Sequence, residues 1–62
     1  MPDLILTANL ANPDAVLEAL MNAHRDLTPE ASRRLDAKLV LLLANHIGHA
    51  DTVKQAIALA EK

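Results

Sequence analysis

His24, His46 and His49 are the three histidines of this 62-residue chain, and no other side chains in it are so well suited to chemistry. An imidazole titrates near neutrality, so it can move a proton or ligate a metal ion. Eight Asp and Glu residues supply the remaining oxygen ligands, and the absence of cysteine removes any thiolate site. Spacing argues against a metal centre within one chain. In the helical hairpin that the chain's punctuation predicts, His24 lies by the turn and His46 lies in the far half of the second helix. At ~1.5 Å per residue the two are well over ~15 Å apart, so they meet only across an interface between copies. His46, His49 and Asp51 form a local trio, but it spans a helix end and has no reinforcing ligand. No metal and no cofactor is expected. An inward histidine in the last turn of a helix more simply bonds free carbonyls, where the helix dipole favours its charge.

Asn45 is the next polar residue of interest, an amide beside an apolar run. It can hold a ligand or a partner's backbone; equally, it can satisfy the chain's own Leu10–Asn12 turn or pair with a symmetry mate to fix register. Ser32 is the only serine and falls in an exposed first helical turn, with no histidine within local helical reach. There is neither a phosphate-cradling glycine loop nor a dinucleotide fingerprint, so no enzymatic activity is expected. Arg33, Arg34 and Lys38 form a short basic face. A nucleic-acid partner is not expected, because the helix that would enter a groove, Asp51 to Glu61, carries one lysine and nothing else that reads bases.

Composition narrows the class further. The chain has no aromatic residue, hence nothing to stack on a base, a flavin or a sugar face. With a net charge of −2, no electrostatic footprint favours nucleic acid or anionic lipid. The longest apolar run, Leu39 to Ala44, is far short of the ~20 residues that span a bilayer, so no membrane association is expected. The start, Met1-Pro2-Asp3, lacks a basic leader region, and a cytoplasmic location is the default.

The elements that must position these residues are set by prolines, caps and one glycine. Residues 1–11 form an arm; its Leu4-Ile5-Leu6 cluster is expected to be extended, packed over the helices or donated to a neighbouring copy. Asn12-Pro13-Asp14 starts a helix over 13–26, with an amide cap, proline at the first position and an acid favoured by the dipole. Its inner stripe is Leu17, Leu20, Met21 and His24. Thr28-Pro29-Glu30 repeats that grammar and starts a helix over 29–47, which Gly48 ends. Asp51 caps a third helix over 51–61 with Val53, Ala56, Ile57 and Ala60 inward. The short link at Leu27-Thr28 makes the first two helices a hairpin. The expectation is a single all-α domain over 1–62: a helical hairpin, a short third helix and an extended N-terminal arm.

The second helix carries the surplus. Leu35 and Leu39 point inward in its first half, with Arg33, Arg34, Asp36 and Lys38 to water. In its second half Leu39-Val40-Leu41-Leu42-Leu43-Ala44 occupies every direction around the axis, and a helix that is apolar all round is buried all round. Helix one covers the Leu39/Leu42/Leu43 side and helix three a second side, which leaves Leu41 over. A second copy, or another protein, should lie there. The expected assembly is a homodimer, with Leu4, Leu6, Val40, Leu41, Ala44 and Asn45 at its interface.

Several segments resemble one known family: Asn9-Leu10-Ala11-Asn12-Pro13-Asp14, Ala23-His24-Arg25-Asp26-Leu27, and Leu39 through Gly48 with Leu43-Ala44-Asn45-His46-Ile47-Gly48 the most specific block. It is a family of short bacterial proteins catalogued as a domain of unknown function, family 2783, and the resemblance covers nearly the whole chain. It implies a compact helical protein, sometimes encoded near flavin-dependent or other oxidoreductases, and so a larger enzyme as a possible partner. It supplies no catalytic residue. The family pattern has an aromatic pair where this chain has Val16-Leu17 and an acid where it has His49, so roles for those groups do not carry over. His24, Arg25, Asn45 and His46 match the family's polar pattern. Together these readings predict a homodimeric helical interaction module, an accessory to a larger protein. The alternative is a small-ligand or metal-binding protein using His24, Arg25, Asn45 and His46 at a subunit interface.

Overall fold

The computed structural model describes residues 3–62; positions 1 and 2 of the expected arm lie outside them. The described chain is an extended arm followed by α1 (Pro13–His24), α2 (Pro29–Ile47) and α3 (Ala50–Ala60), with no strand among the described residues. Both long starts work as their sequences dictate. Asn12 Oδ1 accepts from the Ala15 N–H at 3.2 Å and Thr28 Oγ1 from the Ala31 N–H at 3.2 Å, each satisfying a helix-end donor ahead of a proline. Gly48 ends α2 at φ 79°, and its N–H returns to the Ala44 carbonyl at 3.0 Å.

Three boundaries differ from those expected, the end of α3 by a single residue, at Ala60 with Glu61 as its cap. α1 stops at His24 rather than Asp26, because the chain turns there: Arg25 sits at φ −61°, ψ 131°, Asp26 at φ 63°, and the Leu27 N–H bonds the His24 carbonyl at 3.3 Å. That is a type II turn with aspartate in the place glycine or asparagine usually takes. α3 begins at Ala50, with His49 in the cap position and no side-chain cap bond. Asp51 therefore lies inside the first turn, where its charge still complements the helix dipole.

Packing is sparse. Among the described residues no apolar side chain is buried, and Thr52, 8% exposed, is the one buried residue. Half-buried Leu4, Leu20, Leu35, Leu39, Ala44, Val53 and Ala56 trace the line along which the elements meet. Leu17, Met21, Ile57 and Ala60, expected on inner stripes, are exposed. Of the side expected to lie under α1, only Leu39 is half-buried; Leu42 and Leu43 remain 69% and 54% exposed, beside Leu41 at 70%. The arm lies along its own α3, where the Leu4 N–H donates to Gln55 Oε1 at 3.0 Å. Leu4 and Leu6 share a shallow cleft with Ala58, Leu59 and Lys62.

The dimensions agree. The radius of gyration is 13.2 Å, against about 10.6 Å for a compact domain of this length. The accessible surface is 5501 Å², whereas a folded monomer of this mass exposes about 3,900 Å².

Candidate functional site

Three places on the fold gather the residues of interest. The first is the end of α1, where half-buried His24 is fixed by both ring nitrogens. Nδ1 lies 2.6 Å from the Leu20 carbonyl oxygen, one turn back, and Nε2 lies 2.6 Å from Asp36 Oδ1 on α2. A carbonyl and a carboxylate only accept hydrogen bonds, so both nitrogens must donate, and only the imidazolium has two N–H groups. The pKa of His24 is raised accordingly. The Leu20 carbonyl contributes most and the Asp36 bond next, with the carboxylate's charge adding and partial desolvation opposing. His24 side-chain exposure is 29% and that of Asp36 is 59%, so the pair is a partly screened clamp between α1 and α2.

Asp36 is exposed as expected, but its bond to His24 makes it a site residue that the sequence alone did not single out. A signal was available. In a hairpin pivoting near Pro29, residues equally far from the pivot face each other, and 24 and 36 are nearly so placed. Arg25, next to His24, is tied back onto its own helix, donating from Nη2 to Asn22 Oδ1 at 2.8 Å.

The second place is the junction of α2 and α3. Leu41, Ala44, Asn45, Gly48, His49, Ala50, Val53 and Lys54 line an open cleft of about 550 Å³. Asn45 is exposed on its wall, and His46 is exposed on the last turn of α2. The residues of the proposed polar set therefore fall in two neighbourhoods, His24 and Arg25 at the end of α1 and Asn45 and His46 at the end of α2. Among the described residues no three His, Asp or Glu side chains are grouped to hold a metal ion.

The third place is a groove of about 530 Å³ between α1 and α2. Ala15, Ala19 and Ala23 form one wall, with Val16 beside them; Leu35, Leu39 and Leu43 form the other, and Leu20 lies between. Each row advances four residues at a time, so each is one face of its helix. The alanine row does not stand out in the sequence, because small residues add little to an apolar stripe counted by size.

An all-helical architecture of three elements, with no helix among the described residues long and apolar enough to cross a membrane, defines the class: a small three-helix α-helical protein. A family model matches residues 4–62, and the chain belongs to that family, described as Protein of unknown function (DUF2783). The resemblance carried by the Asn45-His46-Ile47-Gly48 region thus holds over almost the full length. No significant match was found among curated proteins, and none among solved structures.

Proposed function

We propose that this protein is a helical interaction module: a homodimer that serves as an accessory to a larger enzyme. One observation carries the reading, the absence of any buried apolar side chain among the described residues of a chain that is 52% hydrophobic. Burying apolar surface is the main favourable term in folding, and a helix set that leaves its leucines in water has not collected it. The exposed surface exceeds that of a compact monomer by about 1,600 Å² per chain. Covered by a second copy, that surplus gives about 3,200 Å² in total, inside the range of obligate homodimers.

In this reading the protein is bacterial and cytoplasmic, and the larger partner is an oxidoreductase, as the family resemblance implies. The homodimer interface expected from the sequence comprises the arm residues Leu4 and Leu6 with Val40, Leu41, Ala44 and Asn45 on α2. Native mass spectrometry of the purified chain tests the assembly directly. The expected spectrum is dominated by the dimer mass at micromolar concentration, and a clean monomer would overturn the reading.

A further inference from the structure

We infer that the second copy seats in the groove between α1 and α2, so that the two hairpins close into one four-helix core. The inference rests on the homodimer reading but moves its contact surface from the Leu41 side of α2 to the groove.

The groove walls are unlike each other: alanines at 15, 19 and 23 on α1, leucines at 35, 39 and 43 on α2. A two-fold axis across the groove sets the leucine row of each copy against the alanine row of the other. Large then meets small on both sides, the arrangement that fills a helical interface without voids. The contact is isologous, as the commonest closed symmetry requires. Charge agrees with the pairing. α1 carries Asp14 and Glu18 against the single cation His24, while α2 carries Arg33, Arg34 and Lys38 against Glu30 and Asp36. Opposed across the axis, an acidic helix meets a helix of net positive charge.

A second copy would bring the chain's surplus of about 1,600 Å² into the range that obligate homodimers bury, and the groove is a part of that surface lined by apolar residues alone. The cleft at the α2–α3 junction differs in kind: its lining includes Asn45, His49 and Lys54. Leu41 faces that cleft, away from the groove, and stays available to the larger partner.

The chain has no cysteine, which permits a test by mixed single-cysteine chains. Ala19→Cys protein is mixed with Leu39→Cys protein, refolded together and oxidised; a bond between residues 19 and 39 is then intermolecular by construction. The expected result is a 19–39 cross-link in clear excess over the product of Ala19→Cys with Leu41→Cys. Preferential 19–41 cross-linking would overturn the groove while leaving the dimer standing. In parallel, Ala19→Glu is expected to weaken the dimer about a hundredfold or more, because it buries an unpaired charge. Leu41→Glu is expected to leave it intact. Ala19 is exposed in the single chain and glutamate is a good helix former, so an unaltered dimer in Ala19→Glu refutes the groove. A wild-type chain that is monomeric sinks the homodimer reading itself, a result separable from both.

Discussion

His24 is satisfied at both ring nitrogens only as the cation, because Leu20 and Asp36 offer it nothing but acceptors. Its folded pKa is raised above the ordinary value of 6.5. A raised pKa means the folded state holds the proton more tightly than the unfolded chain. The stabilisation is therefore complete below the unfolded value and is lost as pH rises through the folded one. Thermal unfolding followed by far-ultraviolet circular dichroism should show a midpoint that falls as pH rises from below the ordinary imidazole value through the raised value of the folded state. Asp36→Asn should shrink that fall, since the charge that favours imidazolium is gone. A direct check is the His24 resonance in a proton NMR titration, which should move to a lower pKa in Asp36→Asn. At this scale the sequence revealed half the clamp. The place of His24 in a last turn points to carbonyl bonding, but the choice of Asp36 depends on how α1 lies on α2, which no local spacing encodes.

Helix starts were legible because each is written in its own residues. Asn12 and Thr28 cap, a proline follows each, and the hydrogen bonds to Ala15 and Ala31 close as expected. The stop of α1 was not legible. Asp26 adopts φ 63°, a conformation that sequence reading assigns to glycine or asparagine before aspartate. Gly48 shows the opposite case, a stop marked by the residue that fits it. A Cβ at Gly48 would meet nothing closer than the Asn45 carbonyl oxygen at 4.0 Å, so space is not the constraint. Its φ of +79° is. Gly48→Ala should cost about 1 kcal/mol through backbone strain alone. Urea unfolding at a fixed protein concentration should show a lower midpoint with an unchanged slope. An unaltered midpoint would mean that the turn relaxes into another conformation.

For the whole molecule, folding and association should be one reaction, because a single copy leaves its apolar side chains in water. Mass action then ties stability to concentration. A tenfold dilution of the wild-type chain should lower the unfolding midpoint by several degrees, as expected for about 1.4 kcal/mol in a domain this small. Differential scanning calorimetry over a dilution series reads this, and a midpoint independent of concentration would contradict it. The surplus was legible in Leu39 through Ala44, which leave α2 no polar face. Its distribution was not. Counting directions around α2 isolated Leu41, but Leu42 and Leu43 are also exposed, and α1 stands off from Leu43 across a groove. Helical periodicity gives the direction in which a side chain points and says nothing of how near the next helix comes.

The unequal walls of that groove also set how the chain can drift over evolutionary time. At Ala15, Ala19 and Ala23 the side chain is already as small as a good helix former can be, so larger replacements have to be matched by losses opposite. At Leu35, Leu39 and Leu43 neutral exchange is open among residues of similar volume, such as methionine and isoleucine. One wall should thus vary freely within a size class while the other stays nearly fixed, and changes that cross the class should arise in pairs, one from each helix.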